Sequence, residues 1–462
     1  MSAIPFNRRL YKKYDVAGPR YTSYPTAPHF HTGFGEAAYR QVASGSNEDP
    51  IPRPLSLYAH IPFCHSLCYY CACSKIVTRH TAKAEIYLHY LERELALQGP
   101  LFDRDRPLRQ LHLGGGTPTY MDDRQLWRLM QAVGRQFSLA VPEEREFSVE
   151  VDPRAVGDET IAVMAELGFN RISVGVQDFD PEVQKAVNRL QSLEQTMQVI
   201  DDARRNGYRS VSLDLIYGLP KQTLERFAAT LDQVIGIRPE RLSIYNYAHL
   251  PERVKAQRLI VTEDLPSPEE KLEILAYTVD RLTRAGYRYI GMDHFALPES
   301  DMARALDDGT LQRNFQGYST HADCDLIGIG MTSIGKIGDS YSQNLRDLKA
   351  YYQALDAGRL PVARGYLLNA DDRLRREVIE QIMCRAWLDF AAIEHAYDIR
   401  FADYFRSELD ALQDMENDGL LRRRENGLEI LPAGRLLLRN IAMVFDRYLW
   451  AGEQTVRYSR TV

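Results

Sequence analysis

Four of the six cysteines crowd into one short segment, Cys64-His-Ser-Leu-Cys68-Tyr-Tyr-Cys71-Ala-Cys73. In a loop after a strand, cysteines spaced by three and then two residues can wrap three thiolates around one small centre. Soft thiolates select iron–sulfur clusters or zinc. A structural zinc or a closed cluster asks for four ligands, whereas three thiolates on a 4Fe–4S cluster leave one iron open. An open iron can chelate the amino and carboxylate groups of a methionine-like ligand. Cys73 is able to supply a fourth thiolate, which keeps zinc and a closed cluster as alternatives. It lies only two residues after Cys71, so both side chains of an extended chain aim at the same corner. The expected metal ligands are therefore Cys64, Cys68 and Cys71.

The elements that must position this loop alternate in type. Short runs rich in β-branched and aromatic residues fall at 55–61, 108–113, 146–151, 171–176, 210–216 and 241–247. Helical patterns lie between them at 82–98, 122–136, 158–167, 193–206 and 224–235. Such alternation predicts an α/β fold with a parallel sheet and right-handed crossovers. Six units make an incomplete (β/α)6 TIM-like barrel, and a further run at 287–292 is expected to extend the sheet. The chain divides into an N-terminal arm and linker at 1–54, a catalytic barrel at 55–369 and a C-terminal, mostly helical domain at 370–462. In the last part, helices are expected at 373–387 and 401–417, followed by a hairpin over 420–431 turning at Asn426-Gly427, a winged-helix-like pattern. Arg422, Arg423 and Arg424 on that hairpin invite a nucleic-acid reading, but three arginines on a hairpin are more often a solvated face.

Chemistry in parallel barrels collects at the C-terminal strand ends. Here those ends carry Tyr58 and the cysteine loop, then Gly114-Gly115-Gly116-Thr117-Pro118, Glu150 with Asp152, Gln177-Asp178, Asp214, and Asn246-Tyr247-Ala248-His249. A buried carboxylate must have a partner. Structural ion pairs account for one or two such residues, not for a polar group at every strand end. The triple glycine lacks dinucleotide spacing and the lysine of a P-loop. After the second strand it fits close backbone approach to an amino-acid moiety.

The totals exclude several classes. The 462-residue chain has 45% hydrophobic and 26% charged residues, an ordinary globular composition. Its net charge of −6 argues against a nucleic-acid surface as the main business of the protein. No stretch reaches the length of a membrane span, and the first ten residues lack the apolar run of a signal peptide. A cytoplasmic monomer without membrane insertion is expected. Clustered thiols in a reducing compartment mean metal rather than disulfides, and Cys324 and Cys384 read as buried apolar residues.

The spacing of the cysteine loop, with an aromatic residue at Tyr70 just before the third cysteine, resembles the radical S-adenosylmethionine superfamily. The strings Tyr58-Ala-His-Ile-Pro-Phe-Cys64, His112-Leu-Gly-Gly-Gly-Thr-Pro118, Glu150-Val-Asp-Pro153, Gly175-Val-Gln-Asp-Phe179, Val187-Asn-Arg189 and Asp214-Leu-Ile-Tyr-Gly-Leu-Pro220 resemble oxygen-independent coproporphyrinogen III oxidases. The resemblance covers nearly the whole chain, from Gly18-Pro-Arg-Tyr-Thr-Ser-Tyr-Pro25 through Gly291-Met-Asp-His-Phe295 and Asn314-Phe-Gln-Gly-Tyr318. It implies one 4Fe–4S cluster and two S-adenosyl-L-methionine molecules per active site. The cluster-bound molecule would contact Tyr58, Tyr70, Gly115, Glu150 and Ile334, and the second Gly116, Thr117, Gln177, Arg189, Asp214 and Ala248. Tyr58 and Glu150 are the implied catalytic residues. Tyr70 stands where the family commonly has phenylalanine, and its hydroxyl needs a partner.

The implied reaction, a step of haem biosynthesis, is oxidative decarboxylation of two propionates of coproporphyrinogen III to vinyl groups, giving protoporphyrinogen IX. An electron from the reduced cluster cleaves the sulfonium, and the resulting 5′-deoxyadenosyl radical takes a hydrogen from the propionate β-carbon. The substrate radical then loses carbon dioxide and passes its extra electron to an acceptor the sequence does not identify. An electron donor for the cluster is also required. Basic groups should hold the substrate carboxylates, with Arg20 first and His29, His31 and Arg313 behind it. Cys73 is expected near the second cofactor, ligating nothing.

Two other readings compete. A haem-binding chaperone on the same scaffold would typically lack the arm and Cys73 and carry a His-Asn-x-x-Tyr-Trp motif, which this sequence does not have. A zinc-stabilised regulatory protein would hold zinc, no iron, and bind DNA in a salt-dependent way.

Overall fold

The structure, a computed structural model, describes residues 4–321, 324–450 and 458–460. Six parallel strands follow in chain order: β1 (Leu55–Ile61), β2 (Pro107–Gly115), β3 (Glu146–Val151), β4 (Arg171–Gln177), β5 (Ser210–Tyr217) and β6 (Arg241–Asn246). Each hydrogen-bonds to the next. The main helices between them are α1 (Ala82–Gln98), α2 (Asp123–Gln136), α3 (Thr160–Glu166), α4 (Leu193–Arg205) and α5 (Leu224–Ile237). Local chemistry sets their starts. Asp122 with Gln125, and Ser192 with Gln195, form reciprocal capping boxes that satisfy the first free N–H groups of α2 and α4.

The strands show the period of two that places alternate residues on opposite faces. Phe147, Val149 and Val151 of β3 turn outward and are buried under the helices, while Glu146, Ser148 and Glu150 turn inward. β4 and β5 repeat the alternation. The apolar core thus lies between sheet and helices, and the inner face is polar, where an ordinary barrel packs branched apolar side chains.

The barrel does not close. Its sheet runs β7-β8-β6-β5-β4-β3-β2-β1-β9-β10-β11-β12, with β7 (Arg288–Gly291), β8 (His294–Ala296), β9 (Asp325–Ile329), β10 (Ile334–Ile337), β11 (Ser340–Asn344) and β12 (Val362–Leu367). The expected extension at 287–292 is β7, joined through the antiparallel β8. On the other edge β9 lies parallel to β1, and β10 to β12 continue antiparallel. These strands were not expected, because Ser-Tyr-Ser-Gln-Asn and Ile-Gly-Lys-Ile carry no hydrophobic alternation. Their pairing comes from neighbours.

The arm spans both edges. His31 exchanges its N–H and C=O with Gly365 of β12 at 2.9 and 3.1 Å. A side chain at Gly365 would run into Phe34 and the Tyr341 carbonyl, so only glycine admits the contact. Tyr21 bonds Asp446 in the C-terminal part at 2.9 Å.

C-terminally, a helix at Ala370–Arg385 precedes a hairpin of Leu421–Arg424 and Gly427–Ile430, joined by an additional strand at Trp387–Asp389. The expected helix at 401–417 is broken into Phe401–Tyr404, Arg406–Ala411 and Gln413–Asn417. The breaks sit at Phe405 and Leu412, both wholly buried, which tertiary packing draws inward. The hairpin turns at Glu425 and Asn426, one residue earlier than expected. Gly427 is not a turn glycine; a Cβ there would lie 2.4 Å from the Trp387 ring. Arg422 and Arg424 share Glu429, and Arg423 pairs with Glu416, so two glutamates offset most of the charge of the three arginines. Cys324 and Cys384 are buried, as expected.

Candidate active site

The cysteine loop leaves β1 and folds over the C-terminal strand ends, where a cleft of about 1250 Å³, counting its mouth, opens. Cys64, Cys68, Cys71 and Cys73 line it together with Tyr70, Gly115, Gly116, Thr117, Glu150, Gln177, Arg189 and Asp214. Of the expected site residues, Tyr58, Ala248 and Ile334 do not form its wall. Tyr58 lies just behind it, with its hydroxyl 3.1 Å from His60 Nδ1 and its ring stacked on His112 at 5.8 Å. Ala248 accepts from Gln257. Ile334 packs against the Phe30, Tyr341 and Leu368 cluster.

The triple glycine serves the protein's own backbone. Gly116 N–H donates to Ile61 O and Thr117 N–H to Phe63 O, both at 2.8 Å, stitching the cysteine loop to the end of β2. A Cβ at Gly116 would sit 2.7 Å from Phe63 O, and Gly115, at φ +117°, would meet the His60 ring at 2.7 Å. The missing side chains are needed by β1's exit as much as by any ligand.

Each carboxylate has a distinct environment. Burial alone would raise Glu150, but the hydrogen bond from His112 at 3.2 Å, that residue's charge and the Gly115 N–H at 3.1 Å hold it below its ordinary range. Its side chain lies deep in the barrel yet is 45% exposed, because it faces the cleft. Burial likewise acts to raise Asp152, and Arg189 (3.0 Å) and Arg154 (2.7 Å) overcome it, bringing the carboxyl to about 2. For Asp214 burial wins, aided by the Glu150 charge and opposed by Ser173, and the carboxyl is pushed up to about 6. One wall therefore offers a fixed anion, a paired anion and a group poised near neutrality.

The thiols sit among donors. Arg154 Nη2 lies 3.3 Å and Arg189 Nη1 3.6 Å from Cys68 Sγ, and Thr117 Oγ1 lies 3.6 Å from Cys64 Sγ. Lys75 bonds the Cys71 carbonyl at 2.7 Å. Among the described residues no three His, Cys, Asp or Glu side chains are gathered tightly enough for a single ion. A 4Fe–4S cluster asks for something else, one thiolate for each of three irons. Three loop thiols on one cleft wall, supplied with cationic and hydroxyl donors, fit that demand.

Several site residues escaped the sequence reading. Ser173 and Tyr245 line the cleft as inward positions of β4 and β6, and the period-two pattern could have found both. Arg154 beside Asp152 carried a weaker signal, and Gln257 none. Among the basic candidates, Arg20 pairs with Asp293 and lies 5.8 Å over the Tyr245 ring, and Arg313 donates to the Arg20 carbonyl. His29 packs at a tilt against Tyr448 and His31 edge-on against Tyr366, and neither lines the cleft.

A radical S-adenosylmethionine protein is the class this fold and loop define, and a model of the Radical SAM superfamily matches residues 58–234. A model of the HemN C-terminal domain matches residues 368–437. Over 462 residues, all of both chains, the sequence is 48% identical to the oxygen-independent coproporphyrinogen III oxidase of Pseudomonas aeruginosa. It is 48% identical to that of Escherichia coli K12 over 99% of each chain. The solved structure of coproporphyrinogen III oxidase (HemN) from Escherichia coli superposes with a TM-score of 0.91, covering 97% of this chain and 100% of that one. The chain belongs to the oxygen-independent coproporphyrinogen III oxidase family. Among the described residues no helix is long and apolar enough to cross a membrane.

Proposed function

We propose that this enzyme decarboxylates two propionates of coproporphyrinogen III oxidatively, giving protoporphyrinogen IX in haem biosynthesis. The observation that carries the reading is the shared cleft: the three loop thiols face Glu150, Gln177, Arg189 and Asp214 across one cavity. Full-length relatives named for this oxidation favour it over the haem-chaperone alternative.

Cys64, Cys68 and Cys71 would hold the cluster. When bound, the cluster supplies an electron that cleaves S-adenosylmethionine to a 5′-deoxyadenosyl radical able to take hydrogen from a propionate. Glu150, fixed by His112 and Gly115, presents an ionised acceptor to an ammonium group. Asp214, near neutrality, suits hydroxyls that donate or accept. Tyr58, with Glu150, is assigned a catalytic role, placed by His60 and His112. Holding reacting atoms in fixed register is the main contribution of such a site.

The reading keeps two S-adenosylmethionine molecules. Tyr58, Tyr70, Gly115, Glu150 and Ile334 are assigned to the first, and Gly116, Thr117, Gln177, Arg189, Asp214 and Ala248 to the second. Equilibrium dialysis should count two per cluster. It also keeps the functional division into arm (1–54), catalytic barrel (55–369) and C-terminal domain (370–462), the need for an electron donor and acceptor, and a cytoplasmic monomer.

Anaerobic incubation with coproporphyrinogen III, S-adenosylmethionine and a reductant should release carbon dioxide. Tight haem binding without decarboxylation would overturn the reading.

A further inference from the structure

Below the cleft, inside the barrel, lies a second chamber of about 900 Å³, counting the space it opens onto. The two cavities share Glu150, Ser173, Asp214 and Tyr245 as a common wall. Inward positions of four adjacent strands are filled by Ser148, Ser173, Ser212 and Ser243. Small side chains at these positions leave the lumen open where an ordinary barrel would be plugged.

The floor is charged. Arg171, at the start of β4, takes both nearby carboxylates, Glu146 at 2.9 Å and Asp301 at 2.5 Å. Arg241, at the start of β6, feels the charge of Glu146, Asp301 and Glu240 but bonds none of them. Its Nε and Nη2 are enclosed without a partner, and it makes no ion pair among the described residues. Arg106 shows what this protein does with a buried guanidinium it needs structurally. That side chain bonds Arg53 O, Ser46 Oγ, Asn47 Oδ1 and Asp325 Oδ2 at 2.6–2.8 Å. A buried guanidinium with nothing to bind is strongly disfavoured.

Arg241 is not alone. Gln316 Nε2, His294 Nδ1 and the Nε and Nη1 of Arg171 line the same chamber and also lack partners. The unpartnered groups are donors, or in the imidazole's case able to be one. Water both donates and accepts, whereas an ionised carboxylate only accepts. Among the lining groups, which include Glu146, Glu150 and Asp214, the ones left without a partner are thus donors, and a carboxylate is the ligand that suits them. Strand rise puts Arg241 about 13 Å below Tyr245 along β6. A ligand reacting at the shared wall with a second carboxylate roughly that far away can reach it.

We propose that Arg241, with Gln316 and His294, receives a non-reacting carboxylate of the substrate, which enters the barrel lumen. This rests on the reading that the substrate is a porphyrinogen bearing several propionates. Arg241 is a binding residue here, distinct from the residues at the cleft that face the reacting end.

The test uses full-length, anaerobically reconstituted enzyme, as wild type and as the Arg241→Met and Arg241→Lys variants. The probe is coproporphyrin III, the stable oxidised macrocycle with the same four propionates, followed by fluorescence. Arg241→Met should bind it at least tenfold more weakly and show a KM for coproporphyrinogen III raised by a similar factor. Iron content should stay at wild-type level and Tm should not fall. Arg241→Lys should recover part of the affinity, and the tetramethyl ester should bind wild type and variants alike.

Unchanged coproporphyrin affinity in Arg241→Met overturns the proposal, as does a lower Tm with affinity retained, which would make the arginine structural. If propionate or phosphate raises the wild-type Tm while Arg241→Met keeps its porphyrin affinity, the site holds a free anion and the proposal fails. Absence of turnover by wild type would instead sink the substrate reading. Wild-type turnover with an unaltered KM in Arg241→Met would sink the subsite alone.

Discussion

The side-chain amide of Gln257 donates to the Tyr70 carbonyl at 3.0 Å, tying the cysteine loop to a segment 187 residues further along the chain. The same nitrogen reaches the Ala248 carbonyl at 3.1 Å, and its oxygen accepts from Leu250 N–H at 2.5 Å. Gln257 is buried and its three partners are half-buried, so little water reaches these groups. Gln257→Ala would strand them, at a cost of about 1–3 kcal/mol for each buried group left unmet. The expected outcome is a lower Tm together with faster loss of iron on dilution into chelator. Unchanged iron retention would mean that the loop is held by other contacts.

Glu150 touches His112 and Gly115 and faces the cleft. Glu150→Gln keeps the size and one acceptor but loses the charge. It should lower the rate of 5′-deoxyadenosine formation by about 10²-fold, the scale of losing one preorganised electrostatic contact. Iron content should not change, since Glu150 bonds none of the three cluster cysteines. A variant as fast as wild type would remove Glu150 from the machinery.

Glu94 of α1 is wholly buried and accepts from Gly330 N–H and Asn344 Nδ2, both at 2.7 Å, and from Tyr351 at 2.5 Å. Burial outweighs these donors and pushes its carboxyl up to about 7. The folded chain keeps a proton that the unfolded chain releases, so the associated stability is full below pH 4.5 and is lost as pH rises through 7. The difference amounts to roughly 3 kcal/mol. Denaturant titrations at pH 4.5 and 7.5 should show wild type losing that much more than Glu94→Gln. Parallel behaviour of the two proteins would refute the assignment.

Cys73 shares the cleft wall with the three cluster cysteines, and its thiol is a hydrogen-bond neighbour of Cys71. As a non-ligand it should be replaceable: Cys73→Ser is expected to keep full iron and sulfide content and an unaltered absorption spectrum of the reconstituted cluster. Loss of the cluster would make Cys73 a ligand.

Much of this protein is written locally. The cysteine spacing, the helix caps at Asp122 and Ser192, and the period-two alternation that aims Glu150 and Asp214 inward are properties of short segments, and short segments are legible in a sequence. Sequence alone thereby placed the first six strands and the polar groups at their ends. Tertiary structure decided the rest. β9 to β12 pair because their neighbours offer edges, not because their residues alternate. Gly427 makes room for Trp387 rather than for a turn, and the glycines after β2 make room for β1's exit. Phe405 and Leu412 break a helix because the core draws them in. The chamber beneath the cleft exists only once inward serines from four separate strands line one lumen. No reading of the chain in one dimension could show that Arg171 bonds both acids while Arg241 bonds neither, since the partners of a buried charge are chosen by proximity in space.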